Sequence, residues 1–114
     1  MGERGLIVVE GFFTVMKLHE AGFPHTVATM GVEVSSNQLE LLARAPRVFV
    51  MFDGDDAGRR GGADLAAKLK DRTVVHLIEI PRGIEPEDLS PKALRWALNG
   101  ARELGVTVLS FRTT

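Results

Sequence analysis

Val48-Phe49-Val50-Met51-Phe52-Asp53-Gly54-Asp55-Asp56-Ala57-Gly58 is the stretch that decides the fold. An apolar run without polar alternation reads as a strand covered on both faces, as in a parallel sheet. The aspartates that follow stand at its carboxyl end, and Ala57-Gly58 open a helical pattern. The arrangement occurs a second time, where Leu6-Ile7-Val8-Val9 runs into Glu10. Ligands of open α/β sheets bind outside the carboxyl ends of parallel strands, so acids in both places point to function more than to stability.

Working outward, 47–52 and 74–80 predict two further buried strands beside that at 6–9. Phe12, Val15, Met16 and His19 form a stripe at helical spacing, stopped by Gly22-Phe23-Pro24. A short strand at 26–30 follows. Ser35 with Gln38 three residues on is a capping-box signature for a helix that turns Leu39, Leu42 and Ala43 inward and ends before Pro46. The third helix starts at the acidic cluster and carries Ala63, Ala66, Ala67 and Leu69, small enough to lie close against a sheet. Ser90-Pro91 is an N-cap with proline at the first helical position, opening a helix with Leu94, Ala97, Leu98, Ala101 and Leu104 on one face. Asn99-Gly100 inside it is also a turn signal. Gly105 ends it, and 106–109 reads as a last strand. This alternation predicts an α/β, Rossmann-like doubly wound, mostly parallel sheet with right-handed crossovers, as a single domain over 1–114.

Composition narrows the function. A chain of 114 residues, 45% hydrophobic and 25% charged, supports one core and an ordinary globular surface. No apolar run approaches the roughly 20 residues of a membrane span, and the amino terminus lacks the regions of a signal peptide, so a cytoplasmic location is expected. Without cysteine, any metal is held by oxygen or histidine. His19, His25 and His76 have no metal-ligand spacing and read as structural. A net charge of −1 argues against strong phosphate attraction by this domain alone, so a nucleic-acid enzyme would need a basic partner. Phe12, Phe13 and Phe23 are expected in the core rather than as base-stacking platforms. Trp96 lies off the apolar face, at a sheet edge or a contact with another domain or subunit.

Residues two apart in an extended segment project to the same side, so Asp53 and Asp55 are expected to point together into the crevice. Crowded carboxylates repel unless cations intervene, and hard oxygen donors favour Mg²⁺, with Mn²⁺ possible. Asp56 begins the third helix, whose positive end suits a phosphate or simply a capping aspartate, Asp55 or Asp56. Arg59 and Arg60 just beyond are candidates for bidentate phosphate contact, set against the commoner role of surface helix arginines.

Over about residues 6 to 89 the sequence resembles the Toprim domain of bacterial primases, type IA and type II topoisomerases, OLD-type nucleases and recombination mediators. Its motifs are matched by Glu10-Gly11 and by Asp53-x-Asp55. The spelling is most similar to the DnaG-type primase branch: Glu10-Gly11-Phe12-Phe13-Thr14-Val15, Ala21-Gly22, Ala28-Thr29-Met30-Gly31, Phe52 to Gly58, and Pro81-Arg82-Gly83-Ile84-Glu85-Pro86-Glu87-Asp88. Thr14 and Glu85 stand where that branch usually has aspartate. The resemblance implies metal-dependent phosphoryl transfer on nucleic acid, with Asp53 and Asp55 holding Mg²⁺ and Glu10 as a metal ligand or general acid/base. Glu85, Glu87 and Asp88 would extend the metal shell or form a solvated acidic loop. Nucleic acid (DNA or RNA–DNA) and nucleoside triphosphates are the implied partners, with other domains or subunits supplying a basic surface. A Toprim nuclease and a non-catalytic binding module are the alternatives. The stretch is then either part of a larger primase-like protein or a small stand-alone Toprim protein, with 90–114 adding a helix and a strand.

Overall fold

The computed structural model describes residues 5–30, 33–104 and 108–110. In chain order the elements are β1 (Leu6–Val9), α1 (Phe12–Glu20), β2 (Thr26–Ala28), α2 (Ser36–Ala43), β3 (Arg47–Val50), α3 (Asp56–Leu69), β4 (Val74–Glu79), a 3₁₀ turn (Pro86–Asp88), α4 (Pro91–Leu104) and β5 (Val108–Ser110). The strands form one sheet in the order β2-β1-β3-β4-β5, every neighbouring pair parallel. Glycine 105 and residues 106 and 107, expected to end α4 and open the last strand, lie outside the described residues.

The apolar runs lack alternation because both sheet faces are covered. Ile7, Val9, Phe49, Met51, Ile78 and Ile80 point to one core, closed by Leu18 of α1 and by Leu94, Ala97, Leu98 and Ala101 of α4. The intervening Val8, Val48, Val50, Phe52 and Val75 point to the other, closed by Leu39 of α2 and by Leu65 and Leu69 of α3. The expectation of uniformly right-handed crossovers fails at the last one. The first three connections share one hand, whereas α4 returns to the face of α1 before β5 joins the far side of β4, which reverses it. The reason is burial: the nine-residue α1 leaves Phe49 and Ile78 on that face needing cover, and α4 supplies it.

Two helices present different faces from those expected. In α1 the buried residues are Thr14 and Leu18, while Phe12, Phe13, Met16 and His19 are exposed. The helix begins beyond the end of β1, so its first turn overhangs the sheet. Phe23 does pack against the core. In α3 the buried face is Gly58, Gly62, Leu65 and Leu69; Ala66 is half-buried and Ala63 and Ala67 are exposed. Glycines, not alanines, permit the close approach: a Cβ on Gly62 would sit 3.3 Å from Leu77 Cδ1.

Other local signals hold. Ser35 and Gln38 form the reciprocal capping box at 3.2 and 2.9 Å, and α4 runs unbroken through Asn99-Gly100. His76 is buried and stacks on Phe49 with ring centroids 5.1 Å apart. Arg47 Nη1 lies 2.6 Å from His76 Nε2; since a guanidinium only donates, Nε2 accepts and the ring proton belongs on Nδ1. His19 Nε2 lies 3.3 Å from the Thr26 carbonyl oxygen. Among the described residues no helix is long and apolar enough to cross a membrane.

The α3 assignment is testable by urea unfolding. Gly62→Leu must force the helix off β4 and costs about 1–3 kcal/mol. Ala63→Leu, one position away on the exposed face, stays within about 0.5 kcal/mol of the parent.

Candidate metal centre

The chain leaves β1 toward β2 and then crosses back to β3 on β1's other side, so the carboxyl ends of β1 and β3 flank the topological switch point. Glu10 and Asp53 stand there. The backbone N–H of Asp53 donates to Glu10 Oε1 at 2.9 Å, fixing one acid across the crevice from the other. Asp55 is the N-cap of α3; its Oδ1 accepts the N–H of Gly58 at 2.6 Å. No side chain fits at Gly58, where a Cβ would lie 2.3 Å from the Asp53 carbonyl oxygen.

A third acidic segment is laced to this turn through Gly54. Its N–H donates to the Ile84 carbonyl and its own carbonyl accepts from Gly83, both at 2.9 Å. The approach is so close that a Cβ on Gly54 would lie 2.0 Å from the Pro81 carbonyl oxygen. The lacing positions the 3₁₀ turn with Glu85, Glu87 and Asp88. Within it the Glu85 N–H donates to Asp88 Oδ2 at 2.9 Å, and Thr14 Oγ1 donates to Glu87 Oε1 at 2.8 Å, tying the turn to α1. Thr14 thus retains a polar link to the acidic loop, at the position where the primase-branch spelling that the sequence resembles usually has aspartate.

Charge accumulates accordingly. Burial, then the charges of Glu10, Glu87, Asp55 and Asp88, push the Asp53 carboxyl up to about 6. Exposed Glu85 is held up to about 7, first by its hydrogen bond with Glu87, then by the charges of Glu87 and Asp53. The remaining candidates lie apart from this focus. Asp56 pairs with Arg82 at 3.0 Å, both largely exposed. Arg59 Nη2 donates to the Ile80 carbonyl at 2.9 Å and Nη1 lies 3.9 Å from Glu79, so its guanidinium clamps α3 to the end of β4. Arg60 is exposed on α3.

Among the described residues no three acidic or imidazole side chains converge tightly enough to enclose an ion. The donor set nevertheless fits a hard divalent cation of the kind that keeps several waters and needs only one or two carboxylates. It is all oxygen, and Asp53 is raised by burial and by the charges of four acidic neighbours, which a cation would offset. Glu10, Asp53, Glu85 and Glu87 also line an open cavity of about 410 Å³ together with Phe12, Phe13 and Met30. The aromatic pair following Glu10-Gly11 was the sequence signal for this wall, and the helical stripe obscured it.

Two outcomes follow from the geometry. Because the folded-state pKa of Asp53 is raised, the folded chain holds that proton more tightly than the unfolded one. The associated stability is complete below about pH 4 and lost as pH rises through about 6. Asp53→Asn should therefore stabilise the metal-free domain at pH 8 by about 1 kcal/mol, allowing for solvent screening, and leave it unchanged at pH 4; thermal melts at both values read this. Gly54→Ala should cost about 2–4 kcal/mol by breaking the lacing to Pro81 and Ile84, measurable in urea.

Similarity to known proteins agrees with this architecture. A family model described as Toprim-like matches residues 7–90. The DNA primase of Rickettsia conorii is 39% identical over 87 residues, covering 72% of this chain and 15% of that protein. The DNA primase of Aquifex aeolicus is 31% identical over 109 residues, covering 90% and 22%. Its crystal structure, comprising zinc-binding and RNA polymerase domains, superposes with a TM-score of 0.75 at 30% identity over 86% of this chain and 28% of the other. A DnaG primase catalytic domain solved bound to single-stranded DNA gives 0.69 at 29% identity, over 87% and 33%. The chain thus spans well under half the length of these relatives. From the acidic crevice at the switch point and the family match across most of its length, the chain belongs to the Toprim-like family.

Proposed function

We propose that this chain is the Toprim domain of a primase-type system, a Mg²⁺-dependent domain for phosphoryl transfer in nucleic-acid synthesis in the cytoplasm. The observation that carries the reading is the meeting of Glu10 and Asp53 at the switch point, with Asp53 raised by burial and then by the charges of Glu10 and its acidic neighbours. Glu10, Asp53 and Asp55 would hold Mg²⁺, or Mn²⁺ in its place. When bound, the ion supplies charge neutralisation at the phosphates and at the attacking and leaving oxygens.

The protein's own residues supply position. The Asp53 N–H orients Glu10, and the Gly58 N–H holds one oxygen of Asp55. The Gly54 lacing sets the acidic loop at a fixed distance from both, and Thr14 anchors Glu87. Glu10 would also serve as general acid or base, being joined to the backbone rather than neutralised by a cationic side chain. Nucleoside triphosphate and a DNA template are the substrates this reading assigns. Template binding needs a basic surface beyond this domain: the net charge is −1 and Arg59 is committed to the Ile80 carbonyl. That same commitment favours, as the second reading, a binding module without catalysis of its own.

Calorimetric titration of Mg²⁺ and Mn²⁺ into the domain, with and without nucleoside triphosphate, tests the site. Saturable binding is expected in the parent and at least a tenfold loss in Asp53→Asn/Asp55→Asn, with the fold retained by circular dichroism. Equal metal affinity in the double variant would refute the site. Primer synthesis on single-stranded DNA, with a basic partner domain supplied, separates the catalytic reading from the binding module.

A further inference from the structure

The first turn of α1 exposes apolar surface that the fold does not use. Phe12 and Phe13 are 61% and 60% exposed, and Met30, across the same cavity, is 60% exposed. Met30 holds φ at 63°, the left-handed region that an unbranched side chain enters only at a cost. These groups share their cavity with Glu10, Asp53 and Glu87. The Lys17 ammonium lies 5.4 Å from the Phe13 ring centroid, covering that ring in a cation–π contact. Among the described residues no cation covers Phe12 in this way.

We propose that Phe12, flanked by Phe13 and Met30, is a stacking platform for the base of a nucleotide whose phosphates lie over the Glu10–Asp53 crevice. The inference rests on the metal-site reading above and adds a subsite to it. The make-up of the cavity selects the occupant. An apolar segment of another protein laid over the rings would also cover Asp53 and Glu87 and strip them of water with no counter-charge, which is costly. A nucleotide with its divalent cation brings a planar neutral ring for the apolar wall and a cation for the acidic one. Stacking on an aromatic face contributes without demanding a particular base, so the platform should accept purines and pyrimidines alike, purines more tightly for their larger face.

The test compares two probes on the 114-residue domain by calorimetry: Mg²⁺ with ATP, and Mg²⁺ with tripolyphosphate, which has the phosphates and no base. In the parent, ATP should bind about tenfold tighter than tripolyphosphate, the scale of one base stacked on one ring. Phe12→Leu, which keeps apolar surface and removes the aromatic face, should abolish that advantage and leave tripolyphosphate affinity unchanged. Phe12→Trp should restore or exceed it. Because the ring is exposed, all three proteins should melt within a degree or two of one another. No advantage of ATP in the parent, or an advantage that survives in Phe12→Leu, overturns the platform while the metal site stands. A loss of both probes in Phe12→Leu overturns it in favour of a structural role. If the parent binds neither probe, the metal-site reading fails and the platform falls with it. If Phe12→Leu leaves both affinities intact but abolishes self-association seen by sedimentation, the rings are a protein contact and the proposal is wrong.

Discussion

The hydrogen bond from the Asp53 backbone to the Glu10 carboxylate joins the carboxyl ends of β1 and β3, and the rest of the site is arranged around that junction. It exists because the strand order puts those two ends side by side at the point where the chain reverses its direction of travel across the sheet. A carboxylate accepting a backbone N–H is held by a charge-assisted bond and oriented without a cation, which leaves its charge available to whatever enters the crevice. The Gly54 lacing then adds a third wall. A backbone-to-backbone approach that excludes any Cβ fixes the β3 turn against the turn after β4, and so fixes the acidic loop relative to Asp53.

Much of this was legible in the residues. Continuous apolar runs, each ending in an acid or leading to one, specified buried parallel strands with a site at their carboxyl ends. The Ser35–Gln38 box and Ser90-Pro91 set helix starts because capping is local chemistry, requiring only the next turn of backbone. What escaped was decided by distant neighbours. The apolar stripe of α1 was read as a core face, yet only Val15 of that stripe, together with Leu18, reaches the core, because the first turn projects past the sheet. In α3 two of the four inward residues, Gly58 and Gly62, have no side chain to register as hydrophobic, so a hydrophobicity pattern selected the alanines beside Leu69 in their place. The hand of the last crossover depended on which sheet face remained uncovered, a property of the assembled sheet and not of any segment. The Thr14–Glu87 contact spans 73 positions and had no local signature.

The two ends of the same sheet show where stability is conceded. At the amino ends polar groups are matched: Arg47 donates to His76 beside the Phe49 ring, Thr73 Oγ1 to the Ala45 carbonyl at 2.7 Å, and Thr26 Oγ1 to the Phe23 carbonyl at 2.8 Å. At the carboxyl ends the pattern inverts. Asp53 is raised by burial and then by its acidic neighbours, Glu85 by its hydrogen bond with Glu87 and then by charges of like sign, Met30 occupies a disfavoured backbone region, and two phenylalanine rings face solvent. A sequence selected for folding alone would relieve each of these with a cheap substitution: an amide for one acid, glycine for Met30, a polar residue for Phe12. Their concentration around one cavity, on a sheet whose opposite end is well satisfied, is the pattern of local conflict expected where binding outranks stability. A cation would relieve the charges and a planar ring would cover the apolar wall, so the features that weaken the domain on its own are those that a metal–nucleotide complex would stabilise.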